Sequence, residues 1–140
     1  MIRFVPDTNV LVSATIVRYG PSSQLLQAWF RGEVELVTSS ILLSKLQDVL
    51  TRPRIQKHQW MTPTEVSELL LDLSQVASLV TVGQLAHVIA EDPDDDWVLS
   101  AALAAQVDYI VSGDHHLLDL GAYRRIAIVT PARFLEIMNE

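Results

Sequence analysis

The spacing of apolar and polar positions changes several times along the chain, and each change marks an element. Ile2 to Pro6 is apolar apart from Arg3 and stops at Asp7, which predicts a short strand. Pro21-Ser22-Ser23 opens a helix in which Leu25, Leu26, Trp29 and Phe30 recur at helical spacing, and Gly32 closes it. Val34 to Val37 predicts a second strand. Ser39 or Ser40 caps the next helix, Ile41 to Leu50, whose Leu42, Leu43, Leu46, Val49 and Leu50 form a one-sided stripe. Arg52-Pro53 ends it, because the residue before a proline disfavours the helical conformation. Thr62-Pro63-Thr64-Glu65 has capping-box spacing with proline at the first helical position, so a helix runs from there to about Ala77. Leu79 to Val82 predicts a third strand.

Glu91 to Asp96 is the most polar stretch of the chain, and an alanine-rich helix follows it from Trp97 to Gln106. Tyr109-Ile110-Val111 predicts a strand that delivers Ser112-Gly113-Asp114. Ala127 to Val129 predicts a last strand, and Pro131 opens a C-terminal helix. Strands alternating with helices define an α/β fold built on a parallel sheet, in which ligands bind beyond the carboxyl ends of the strands.

Length and composition narrow the class. The chain has 140 residues, which predicts a single domain spanning 1–140 with a sizeable core. It has no cysteine, so disulfides and cysteine-ligated zinc are excluded. The apolar start is too short for a signal peptide and no stretch has the length of a membrane span, so the expectation is a cytoplasmic protein with no membrane partner. A net charge of −7, from 10 basic and 17 acidic residues, argues against holding nucleic acid by bulk electrostatics. A nucleic-acid role would need metal ions or a local basic patch, for which Arg52, Arg54 and Lys57 are the candidates. A solvated helix end is the plain alternative for that cluster.

Topology alone brings three acids together. Asp7 follows the first strand and Asp114 the Tyr109 strand, while Asp95 opens the helix that feeds the latter. In a right-handed βαβ unit that helix begins at the edge where strands end, so all three project to one rim. Carboxylates crowded there repel one another and have raised pKa values unless a cation relieves them. Hard oxygen donors suit Mg²⁺ or Mn²⁺, a chemistry that supports phosphodiester hydrolysis. Each acid also has a plainer reading: a turn at Asp7, a helix cap at Asp95, and a cap on the next short helix at Asp114. His115 and His116 adjoin the rim and read as exposed loop histidines, and Trp29, Phe30 and Trp60 as core or interface residues.

Taken in order, these segments resemble the PIN domain. Asp7-Thr8-Asn9-Val10 is similar to its opening motif. Asp92-Pro93-Asp94-Asp95-Asp96 with Val98-Leu99 and Ala102-Leu103 is similar to its central acidic motif, and Ala105 with Asp108 to Asp114 and Leu117-Leu118 to its last. Leu50-Thr51-Arg52-Pro53-Arg54-Ile55 resembles a subfamily of toxins from bacterial toxin–antitoxin pairs. The resemblance implies a three-layer α/β/α domain with a central parallel sheet and an endoribonuclease that uses Mg²⁺ or Mn²⁺. It implies RNA as substrate, a cognate antitoxin as partner, and compatibility with a homodimer. Carried over by position, the catalytic and metal-binding acids are Asp7, Asp95 and Asp114. Asp92 and Asp96 are further metal candidates, and the register among Asp92, Asp94, Asp95 and Asp96 stays open. Asn9 and Ser112 would support the site by hydrogen bonding.

One departure bears on activity. Where the family pattern has a glutamate on the second of its helices, this chain has Lys45, with Asp48 one turn on as a partial substitute. A cation at that place would compete with a metal; alternatively Lys45 is a solvated residue opposite the apolar stripe. Two further functions are weighed against the nuclease. A non-catalytic PIN domain would bind RNA or a partner protein. A haloacid-dehalogenase-like phosphatase would use Asp114 and Asp119, but its chemistry needs an acid where Asn9 stands.

Overall fold

The computed structural model describes residues 1–82 and 93–140, so the expectation for Asp92 lies outside the described residues. The elements are β1 (Arg3–Pro6), α1 (Thr8–Ile16), α2 (Pro21–Phe30), β2 (Glu35–Thr38), α3 (Ser40–Leu50), α4 (Pro53–Gln56) and α5 (Pro63–Gln75). They continue with β3 (Ser78–Leu79), α6 (Pro93–Ala105), β4 (Tyr109–Val111), α7 (His115–Leu120), β5 (Ala122–Tyr123), β6 (Ile126–Val129) and α8 (Pro131–Met138).

The sheet order is β3-β2-β1-β4-β6-β5. Among the described residues five strands are parallel and only β5 runs antiparallel, in a tight turn to β6 through Arg124 and Arg125, both at positive φ. The central parallel sheet is therefore as expected, with an antiparallel edge that the sequence reading passed over. From β1 the chain winds outward through β2 and β3, then returns to place β4 on the other side of β1. That reversal is the topological switch point, where the ends of neighbouring strands diverge and leave a crevice.

Apolar side chains cover both faces of the sheet. Phe4, Leu36 and Val111 join residues of α1, α2, α3, α5 and α8 in one core, while Val5, Val37, Ile110 and Ile128 join α6 and α7 in the other. Alternate positions of β1 thus serve opposite layers, as the two-residue repeat of a strand requires. The result is the three-layer α/β/α architecture expected of the sequence.

Several elements differ from the sequence reading: the short helix α4 was not expected, and β3 is Ser78–Leu79 rather than Leu79 to Val82. Thr8–Ile16 forms α1 although its apolar residues surround the helix rather than marking one side; Val10, Leu11, Val12 and Ala14 are all buried. Helix α6 starts at Pro93, not Trp97, because a proline and acids are well placed in a first turn, where N–H groups lack intrahelical acceptors. The Thr62–Glu65 capping box at α5 forms as the sequence predicts, with both reciprocal hydrogen bonds made.

Candidate metal and nuclease site

The crevice between β1 and β4 is built from the backbone outward. Pro6 pairs with Val111, and the Asp7 N–H donates to the Val111 carbonyl at 3.0 Å, so Asp7 and Ser112 leave the sheet side by side. Asp7 is the N-cap of α1, with Oδ1 accepting from the Val10 N–H at 2.9 Å. Its other oxygen, Oδ2, accepts from the Ser112 hydroxyl. Ser112 is fully buried, and its Oγ in turn accepts the Asp114 N–H at 2.9 Å. Asp114 caps α7, its Oδ1 accepting the His116 N–H at 2.9 Å. One serine therefore sets the spacing between the two acids.

Asp114 is thus a helix cap, as its plain reading has it, while Asp7 is the cap of a helix rather than part of a turn; neither role excludes ligation. A carboxylate offers about four lone-pair directions, and one cap bond leaves others open. Capping immobilises each carboxylate at the rim. Asp7 is 4% exposed, and burial is the main cause that pushes its carboxyl above the usual range. Hydrogen bonds from Ser112, Val10 and Asn9 oppose the rise, while the negative charge of Asp114 adds to it. A buried acid facing a second acid is the electrostatic condition that a bound cation relieves.

Asp95 lies in the first turn of α6, whose far end is tied to the start of β1. Arg3, at the start of β1, donates from Nη1 to the Ala105 carbonyl at the end of α6 at 2.7 Å. From Arg3 to Asp7 the strand rises about 13 Å, and from Ala105 back to Asp95 the helix rises about 15 Å. Asp95 shares a helix face with Val98, Leu99 and Ala102, all buried in the core beneath the sheet. Both Asp95 and Asp96 are 4% exposed. Asp95 Oδ2 accepts no hydrogen bond among the described residues, although the residue does engage a neighbour.

The remaining candidates are distributed differently. The Asn9 side chain is exposed, and what this residue gives Asp7 is its backbone N–H. Lys45 is half-buried and engages a neighbour; it lies between Leu42 and Val49 on the flank of the α3 stripe rather than opposite it. Asp48 does not stand in for the expected glutamate: it faces solvent and pairs with Arg52 at 2.7 Å. Arg52, Arg54 and Lys57 are exposed around α4, and α3 separates them from the rim by about 16 Å of helix. Asp119 of the phosphatase alternative is exposed on α7. His115 and His116 are not loop residues but begin α7, and His116 is half-buried. The unbroken Asp-His-His run was the available sign that imidazoles stand beside an acid of the site.

Hard-oxygen side chains at the switch point of an α/β sheet define a candidate divalent-cation centre, and the donor set fits Mg²⁺ or Mn²⁺. A sequence profile of the PIN domain family matches residues 3–116, and the chain belongs to that family. The match covers the elements that carry Asp7, Asp95 and Asp114. The chain is also 25% identical over 143 residues to an uncharacterized protein of Methanocaldococcus jannaschii, covering 96% of this chain and 90% of the relative. PIN domains are generally metal-dependent nucleases. Among the described residues no helix is long and apolar enough to cross a membrane.

Proposed function

We propose that this PIN domain is a cytoplasmic endoribonuclease dependent on Mg²⁺ or Mn²⁺, and that it serves as the toxin of a toxin–antitoxin pair. The observation that carries the nuclease reading is the hydrogen-bonded chain from Asp7 through Ser112 to Asp114 at the β1–β4 crevice, which holds a buried acid against a second one. Asp7, Asp95 and Asp114 would hold the cation, with Asp96 adjacent. When bound, the cation supplies an activated water and neutralises charge on the scissile phosphate. Ser112 positions both Asp7 and Asp114, and by donating to Asp7 it favours the ionised form that can ligate. Arg54 and Lys57 would contact phosphates of the RNA strand a helix length from the scissile bond.

The partner reading is supported by a groove of about 230 Å³ between α2 and α5. Leu26, Phe30, Trp60, Met61 and Leu69 supply apolar surface, and Glu65, Glu68 and Asp72 line its α5 side. An apolar floor with an acidic margin fits a basic amphipathic segment, and we assign it to the antitoxin.

Cleavage of single-stranded RNA in Mn²⁺ tests the nuclease. Asp114→Asn should abolish cleavage while leaving the protein folded, since a neutral amide cannot balance the ion's charge. Cleavage that survives in Asp7→Asn and Asp114→Asn alike would place the activity elsewhere.

A further inference from the structure

Beside the oxygen-rich crevice stands a donor set of different chemistry. Asp114, His115 and His116 each offer one ligand atom, and these three atoms lie within 4.8 Å of one another. The two imidazoles are tilted by 37° with centroids 4.1 Å apart, and His115 Nδ1 is 3.9 Å from Asp114 Oδ1. Ligands bonded at about 2.0–2.1 Å to a tetrahedral ion stand roughly 3.4 Å apart, so a small closure completes the set. His115 can supply it, because its side chain is 75% exposed. His116 is held in place: it is half-buried, and its backbone N–H is bonded to Asp114.

Two imidazoles and a carboxylate do not suit Mg²⁺, which prefers oxygen donors and keeps much of its water. They suit borderline transition ions, for which imidazole is a common ligand. Asp114 also belongs to the carboxylate centre, so an ion held by the histidines would draw on the same acid. We propose that Asp114, His115 and His116 bind a transition ion of the Zn²⁺ class, and that this ion competes with Mg²⁺ for Asp114. The first half stands on the local geometry; the competition rests on the metal-centre reading above. The histidines thereby make the rim a place where metal identity controls the site.

Calorimetric titration of Zn²⁺ into the metal-free full chain tests this without RNA. His115→Ala, at an exposed position, and the double variant His115→Ala/His116→Ala should each bind Zn²⁺ at least about tenfold more weakly than the parent. Both variants retain His58 and His87, so adventitious imidazole binding is common to all three proteins. In the parent, Co²⁺ should give the visible absorption of a nitrogen-ligated ion, and the double variant should lose it. Equal Zn²⁺ affinity and equal Co²⁺ spectra in parent and variants would overturn the site. Added Mg²⁺ should move the parent's Zn²⁺ titration to higher concentration; an unmoved titration would refute the sharing of Asp114. Absence of RNA cleavage would bear on the nuclease reading and leave the zinc result standing.

Discussion

Asp7→Asn should have opposite effects on stability with and without metal. Asp7 is buried, and burial followed in effect by the Asp114 charge raises its carboxyl above the ordinary value of 3.8. The folded state therefore holds this proton more tightly than the unfolded chain does. Stability from this group is fully present below the unfolded pKa and falls as pH rises through the window between 3.8 and the raised folded value. Above that window the ionised carboxylate is a constant burden on the metal-free fold. Each pH unit by which the folded value is raised corresponds to about 1.4 kcal/mol, or about 3–5 °C in Tm for a domain of this size. Asparagine is nearly isosteric and does not titrate there. Its oxygen can keep the Val10 N–H bond, and its amide can donate to Ser112 Oγ, which has lone-pair capacity for it. Thermal unfolding in chelator should thus show the variant more stable than the parent at about pH 7.5, with the gap closing toward pH 4. With Mn²⁺ at about 100 times its Kd the parent gains roughly 2.7 kcal/mol, which the variant should largely forgo. A stability gap independent of pH, or an equal Mn²⁺ gain in both proteins, would refute the electrostatic account of Asp7.

Other substitutions test adjacent parts of the same reasoning. Ser112→Ala leaves the Asp7 carboxylate and the Asp114 N–H without their shared partner, and should cost about 1–3 kcal/mol by denaturant unfolding. It should also raise the Asp7 carboxyl further, because the Ser112 bond now lowers it; an unchanged pH profile would count against that. Lys45→Glu should tighten Mn²⁺ binding and raise RNA cleavage, with Lys45→Ala doing so less; unchanged affinity in both would show that Lys45 does not act on the metal centre. Thr62→Ala breaks the capping box of α5 and should lower stability by about 1 kcal/mol, with cleavage per folded molecule unchanged.

Hydrophobic spacing alone was enough to read the α/β class, the parallel sheet and most element positions. Leu42, Leu46 and Leu50 repeat at helical spacing, and all three are buried. It was also enough to place Asp7 and Asp114 at one rim, because strand order and the handedness of crossovers leave few alternatives. Local pattern failed where tertiary contacts override it. Helix α1 buries Val10, Leu11, Val12, Ala14 and Thr15, which do not fall in one apolar stripe, so nothing periodic distinguished Thr8–Ile16 from a loop after a strand. A two-residue edge strand such as β5 is defined by its partner β6 rather than by its own residues. The acidic run shows the same limit: four aspartates between Asp92 and Asp96 are chemically alike, and their own identity does not say which of them turns inward. Helical spacing puts Asp95 on the face of Val98, Leu99 and Ala102, and only the packing of α6 shows that this face is the buried one. Asp48 and Lys45 were separable only in three dimensions, one drawn to solvent by Arg52 and the other partly covered. Sequence determines which side chains can carry charge and how far apart along an element they stand. The tertiary structure decides which of those charges lose their water, and in a metal centre that loss of solvation is what sets the chemistry.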